Sequence, residues 1–411
     1  MTSAAGFGHI LAAFRQRDYR VFMTGNVFNH MGMWTLRMSA GWLAWELSHS
    51  ATWLGLVGFA DLGPILLVGP LSGALVDRVD RLTVLRFSQM VIAALTLLLY
   101  GLIQAGLMTV ELLFGLMLVI GFFLSISQPA RTALIPGLVT PDILLAAISI
   151  NALVSNGARL VGPTIGGFVI VQWGTSGAFA FCGCLFIVFC AILWVVRTRP
   201  IDYKPKQKRS IGADVAEGVA YASRHPGIGP LMVTMTVTAF VGRSFSTLFP
   251  AFAAIVFDRG ADALAMLTAV LGAGALFGGM YLARRPAIAG LTRVFVFNVG
   301  VLGFGLIAFA FSDIYWLALV VVAAMGACLL INSTSAQTLM QHAVDEDKRG
   351  RISGLYGFIQ RGGQSLGALS LGVMGDLIGL QGTVIAAGVL CLVFWLWSLP
   401  RAKAMALALE R

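Results

Sequence analysis

An all-helical membrane protein, with twelve transmembrane helices in two pseudo-symmetric six-helix bundles, is the fold class that three observations predict. The first is composition. Of 411 residues, 58% are hydrophobic and 11% are charged, against about 45–50% and about 25% in a soluble domain. A chain of this length cannot cover a water-facing globule with so few charges, so soluble enzyme folds are excluded. The second is the form of the apolar runs. They are continuous over about 20 residues, the length that crosses a bilayer as a helix, and do not alternate as barrel strands do. The third is an internal repeat. At a constant offset, Gly73 falls on Gly279, Arg78 on Arg284, Ala130 on Ala336, Gly157 on Gly363, Gly166 on Gly372 and Arg37 on Arg243. Two halves so related form a parallel repeat, a plan in which a solute site lies where the halves meet near mid-membrane.

The segments run, in order, roughly over residues 21–45, 52–76, 84–106, 109–131, 145–171 and 174–196 in the first half. In the second half they run over 228–257, 262–283, 292–311, 315–340, 353–377 and 382–399. Basic residues collect in alternate connections: Arg15, Arg17 and Arg20; Arg78, Arg81 and Arg86; Lys204, Lys206 and Lys208; Arg284, Arg285 and Arg293; Lys348, Arg349 and Arg351; Arg401, Lys403 and Arg411. Arg259 is the exception. Positive charge marks the cytoplasmic side, so both termini are expected there, with an even number of spans in a plasma (inner) membrane. The net charge of +10 therefore reads as topology, and no nucleic-acid partner is expected. Residues 1–197 form the expected N-terminal bundle, 198–226 a cytoplasmic linker containing Pro200 and Pro205, and 227–411 the C-terminal bundle. The three early arginines follow only a weak apolar stretch, so no cleavable signal peptide is expected.

Several motif matches carry no chemistry. Gly363-Gln364-Ser365-Leu366-Gly367 fits a hydrolase nucleophile pattern, but that pattern needs a strand-to-helix elbow, and here it falls inside an apolar span. Gly272-Ala273-Gly274-Ala275-Leu276-Phe277-Gly278-Gly279 lacks the strand that precedes a dinucleotide loop. Small residues at this spacing let membrane helices approach closely. No Gly-Lys dipeptide occurs, so a P-loop is absent. The five cysteines lie inside apolar spans without a Cys-x-x-Cys pair or a histidine partner, which reads as buried thiols. No cofactor, no metal and no enzymatic activity are expected.

Other motifs carry a resemblance over the whole chain. Gly73-Ala74-Leu75-Val76-Asp77-Arg78-Val79-Asp80-Arg81 resembles the signature of the major facilitator superfamily, with Asp80 where a glycine is usual and Ala283 replacing the aspartate in the second-half copy. Gln128-Pro129-Ala130-Arg131-Thr132 continuing to Val139, then Asp142, Leu144 and Asn151, resembles the branch of enterobactin exporters and macrolide-efflux proteins. Gly157 with Gly162-Pro163-Thr164-Ile165-Gly166-Gly167 is similar to a helix motif common in antiporters. The resemblance implies alternating access and export coupled to the proton gradient.

Ionisable groups inside the spans point to function, because hydrocarbon charges several kcal/mol for each unless it is paired or hydrated. They are Arg37, Asp61, Arg159, Arg243, Arg361 and Asp376, with His30 beside them. Arg37 and Asp61 fall roughly 12–14 Å below the outer surface at about 1.5 Å per residue, a depth that allows a salt bridge. The repeat, together with the implied fold, predicts that Arg37 and Arg243 face each other across a cavity and hold anionic groups. Asn29, Gln128, Asn332 and Gln337 add hydrogen-bonding capacity. Asp61, in Ala60-Asp61-Leu62-Gly63-Pro64, is the expected proton-coupling carboxylate, whereas Asp376 near a span end is expected to be hydrated. Asp77, Arg78 and Arg81, with Gly73, form an expected conformational latch. Tryptophans such as Trp34, Trp45 and Trp316 suit an interfacial belt in most cases. The reading is a monomeric proton-coupled exporter, in the lipid bilayer, of a small amphipathic anion resembling a siderophore or macrolide. Its alternatives are a lysophospholipid or lipid translocator, an uptake system, and a transporter-shaped sensor or scaffold that moves nothing.

Overall fold

The computed structural model describes residues 12–66, 68, 80–198, 211–285, 288–346 and 348–410, and among them the chain is helical with no strand. The helices are α1 (Arg17–Ser48), α2 (Ala51–Leu62), α3 (Arg81–Gln104), α4 (Val110–Leu138), α5 (Leu144–Val195), α6 (Ile211–Arg224) and α7 (Ile228–Val256). There follow α8 (Ala261–Ala283), α9 (Leu291–Ala310), α10 (Tyr315–Ala343), α11 (Arg349–Ile378), α12 (Leu380–Ser398) and α13 (Ala402–Leu409). Eight of the described helical stretches are long and apolar enough to cross a membrane: α3, α4, α5 with its lead-in from Pro141, α7, α8, α9, α10 and α12. The remaining long helices, α1 and α11, carry more polar side chains, including Asn26, His30 and Arg37 on one and Gln360, Arg361 and Asp376 on the other. Large apolar side chains such as Phe277, Phe297, Trp316, Val320 and Leu377 point outward, each more than 60% exposed, as side chains facing lipid do.

The sequence punctuates these helices. The 52 residues of α5 are two helices joined at a kink, where Gly174 adopts φ 72° and ψ 176°. That backbone suits a residue without Cβ, and it falls at the expected boundary between the fifth and sixth segments. The N–H groups of a helix's first turn have no partner within the helix, and side chains meet them here. Ser50 accepts from the Trp53 amide at the start of α2, and Thr109 from the Leu112 amide at the start of α4. Asp80, the departure from the family signature, caps α3: its carboxylate accepts from the Thr83 amide and hydroxyl at 2.8 and 2.7 Å. Burial pushes the Asp80 pKa up, but these bonds, with the Leu82 amide and the Arg86 charge, outweigh it and hold the carboxyl below its ordinary value.

By packing, the chain forms two compact units, Met1–Leu43 with Leu67–Gln207 and Ala44–Leu66 with Lys208–Arg411. The first has a core of Tyr19, Phe22 and Met23 from α1, Leu82 and Leu85 from α3, Leu134 and Ile135 from α4, and Phe189 and Leu193 from α5. Arg86 bridges α3 to α5 by donating from Nε and Nη2 to the Leu193 carbonyl at 3.0 and 2.8 Å. The second has a core of Leu231, Met235, Phe295, Val299, Leu339 and Ile352. Met405 and Leu409 of α13 join that core, and the Glu410 carboxylate caps α9 by accepting from the amides of Gly290 and Thr292 at 2.6 and 2.7 Å.

Membrane helices gain little from burying apolar surface against each other, so close backbone packing holds them together. A Cβ on Gly274 of α8 would fall on the Ala323 carbonyl of α10, and one on Gly326 of α10 on the Leu271 carbonyl of α8. In the same unit α2 crosses α11 at glycines, where a Cβ on Gly55 would meet the Ala368 oxygen at 2.6 Å and the Gly372 Cα at 2.9 Å. The Gly363–Gly367 run sits inside α11 with Ser365 fully buried, and a Cβ on Gly367 would strike the Phe240 carbonyl of α7. Both glycine-rich runs are thus packing surfaces.

Candidate functional site

Polar side chains inside the first unit gather along one face of α1. Asn26, His30 and Trp34 recur at helical spacing, and Arg37 follows one turn on. Asn26 is fully buried and donates from Nδ2 to Oδ1 of Asn151 on α5 at 2.8 Å. The guanidinium carbon of Arg37 lies 5.1 Å from the centre of the Trp34 ring, and that of Arg159 on α5 lies 5.0 Å from it. Trp34 therefore departs from the interfacial-belt reading: its ring holds two cations, an arrangement favourable through the ring quadrupole. Arg131 on α4 is 7% exposed, and it and Arg37 both act electrostatically on His30. Asn29 is buried on the same helix, and Gln128 is half-buried on α4.

Glycines on α5 permit this approach. A Cβ on Gly162 would come within 2.7 Å of the Trp34 Cβ, and one on Gly166 within 3.0 Å of the Thr35 side chain. Thr35 donates its hydroxyl to the Gly162 carbonyl at 2.9 Å. Pro163 and Gly167 are buried as well, whereas a Cβ on Gly157 would meet nothing within 4 Å.

In the second unit, Arg243 sits where α7 loses its regular winding. A π turn over Thr238–Gly242 precedes it and a 3₁₀ turn over Phe245–Leu248 follows. Such irregular turns recur at functional positions. Arg243 donates from Nη1 to Oε1 of Gln360 on α11 at 3.2 Å, and the Tyr356 hydroxyl, one turn before Gln360, donates to the Ser333 carbonyl of α10 at 2.9 Å. Ser244 fixes the neighbouring backbone by donating to the Gln364 carbonyl at 2.8 Å. Asn332 on α10 is 3% exposed, and neither of its amide atoms finds a hydrogen-bond partner among the described residues. Gln337 is exposed, and lines a small cavity with Met340, Arg349 and Tyr356.

Asp61 is 8% exposed, near the end of α2. The α-helix ends at Leu62, where the Gly63 amide donates to the Phe59 carbonyl at 2.5 Å. Asp376 is exposed, as expected of a hydrated group, and it also caps a helix. Its carboxylate accepts from the Ser50 hydroxyl at 2.5 Å and from the amides of Ala51 and Thr52 at 2.8 and 3.0 Å, capping α2 from α11. Removing a cap costs about 1 kcal/mol, so Asp376→Ala lowers the midpoint of thermal unfolding in detergent, and Asp376→Asn does so by less. Of the expected latch, Arg81 donates to the Ala133 carbonyl of α4 at 3.1 Å, while Gly73, Asp77 and Arg78 lie outside the described residues.

Sequence reasoning missed Gln360 and Tyr356 as neighbours of Arg243, Trp34 as the ring between arginines, and Asp376 as a cap. The capping signals at Ser50, Asp80 and Thr109 were local ones it passed over.

Long apolar helices with arginines and amides built into their interior define a polytopic helical membrane transporter. A family model described as a transmembrane secretion effector matches residues 9–408. The staphyloferrin A transporter of Staphylococcus aureus is 22% identical, over 90% of this chain and 92% of its own. The enterobactin exporter of Salmonella choleraesuis is 26% identical, over 81% of this chain and 79% of its own. In structure, a bacterial homologue of the human lysosomal transporter Spinster, inward-facing and unoccupied, superposes with a TM-score of 0.75 at 16% identity, covering 97% of this chain and 99% of that one. That likeness shows the fold. The chain belongs to the transmembrane secretion effector family of the major facilitator superfamily, and is an efflux-type transporter, not an enzyme.

Proposed function

We propose that the chain crosses the plasma membrane twelve times, as six helices in residues 1–197 and six in 227–411, with both termini cytoplasmic, and exports a small amphipathic anion by proton-driven alternating access. The observation that carries the substrate charge is the placing of arginines on the first helix of each half: Arg37 held over Trp34, and Arg243 held by the neutral acceptor Gln360. Each binds an anionic group of the substrate, with Asn29, Gln128, Asn332 and Gln337 supplying neutral hydrogen bonds. Siderophore-like compounds are the first candidates, since relatives covering most of the chain carry staphyloferrin A and enterobactin in their names. Asp61 is the proton-coupling group. Asp77, Arg78, Arg81 and Gly73 form the conformational latch at the cytoplasmic edge, and Gly157, Gly162, Pro163, Gly166 and Gly167 form the antiporter-like helix motif.

Arg243 gives the sharpest test. A guanidinium takes a carboxylate by two parallel donors, which an ammonium cannot reproduce. Arg243→Ala weakens binding of an exported anion by roughly tenfold or more, and Arg243→Lys restores little of it. Equilibrium binding to the purified protein measures both. Unchanged binding in Arg243→Ala removes the residue from the site.

A further inference from the structure

We infer that the first unit contains a polycarboxylate-binding site built from three helices: Arg37 of α1, Arg131 of α4 and Arg159 of α5, grouped around His30 and Trp34. This rests on the exporter reading and deepens it, because it names the chemical class of the substrate and adds Arg131, Arg159, His30 and Trp34 to the paired arginines.

Two independent observations converge here. One is the grouping of guanidinium groups. Arg37 and Arg159 both lie about 5 Å from the Trp34 ring centre. Arg131 is 7% exposed inside the same unit, and its charge, like that of Arg37, is felt at His30. A guanidinium takes an oxyanion through two parallel donors. Three guanidinium groups from three helices match a ligand with several carboxylates, and repel a lipophilic cation. The other observation is a row of unmet polar atoms on the same face of α1. Asn26 Oδ1, His30 Nδ1 and Trp34 Nε1 are buried, and none has a hydrogen-bond partner among the described residues. Asn26 and His30 are 0% and 2% exposed. Buried polar atoms lacking partners destabilise a fold and call for a ligand or an ordered water. An indole N–H donates to a carboxylate, while Asn26 Oδ1 accepts from a ligand hydroxyl. A hydroxylated polycarboxylate answers both. Gly162 belongs to this construction, since any side chain there would displace Trp34.

The test uses the full chain purified in detergent, titrated calorimetrically with citrate, with its trimethyl ester, with lysophosphatidic acid and with tetraphenylphosphonium. Citrate binds and its uncharged ester does not. Arg131→Gln and Arg159→Gln each weaken citrate roughly tenfold or more, Arg159→Lys recovers only part, and Trp34→Phe, which keeps the ring and loses the N–H, weakens it by a smaller factor. If an arginine variant fails to elute as a single species, Trp34→Phe and Arg159→Lys carry the test. Equal binding of citrate and ester, or wild-type citrate affinity in both glutamine variants, overturns the site. Tighter binding of lysophosphatidic acid than of citrate overturns the carboxylate assignment in favour of a phosphate headgroup. Export is assayed separately in vesicles. Outward transport of a cation that is unaffected by Arg159→Gln sinks this site and leaves the exporter standing. Arg159-dependent citrate binding without outward transport of any solute sinks the exporter and leaves the site.

Discussion

Asp61→Asn abolishes accumulation driven by a pH gradient in reconstituted vesicles, while downhill flux of the same substrate continues. Asparagine has nearly the shape of a protonated aspartic acid and cannot be ionised, so it fixes the group in its neutral form. Asp61 is only 8% exposed within an apolar helix, the setting in which an ionisable side chain marks a functional position. A variant that cannot take up or release a proton there has no means of linking proton entry to the alternation of states. The loss expected is of the whole gradient-dependent component, with substrate affinity changed by less than the loss of transport. Uphill transport in Asp61→Asn with the same dependence on the pH gradient would place coupling at another residue.

Gly274→Leu yields little or no folded protein. The Gly274 backbone lies so near the Ala323 carbonyl that even a methyl group has no space, and Gly326 repeats the constraint from α10 toward Leu271. Overpacking usually costs about 1–3 kcal/mol when side chains can move aside. Here the obstacle is backbone on both sides, so α8 and α10 must separate along their length, and their contact is lost with it. Gly274→Ala already lowers the unfolding midpoint in detergent, and Gly157→Ala, where a Cβ meets nothing within 4 Å, serves as the control without effect. Size-exclusion profiles and thermal unfolding of the three variants check this ordering.

Most of the spanning helices were legible because they are long apolar runs, whereas the shorter α6 and α13 were not expected. Gly174 opens the sixth expected segment. The role of Gly274 was also legible, since small residues at helical spacing have few other uses in an apolar span. What could not be read was which helix meets which. Gln360 lies 117 positions beyond Arg243, and nothing in either neighbourhood announces the pair. Trp34 looked like one more tryptophan of an interfacial belt, because an aromatic residue has the same signature whether it meets lipid headgroups or arginines. Asp376 is exposed, as its place near a helix end suggested, but its role as a cap could not be read. Its partners, Ser50, Ala51 and Thr52, lie more than 320 positions earlier in the chain.

The cap that Asp376 places on α2 also makes the molecule its own recorder. The amides of Ala51 and Thr52 are held by a side chain of a distant helix and not by their own, so their exchange with solvent quickens when α2 and α11 part at that end. Deuterium uptake at these two positions therefore follows the α2–α11 contact without a fluorophore, a spin label or a known substrate. Followed across a series of solutes and pH values, it ranks compounds by how far each shifts the time the two helices spend apart, which turns a search for the cargo into an isotope measurement on the unmodified chain.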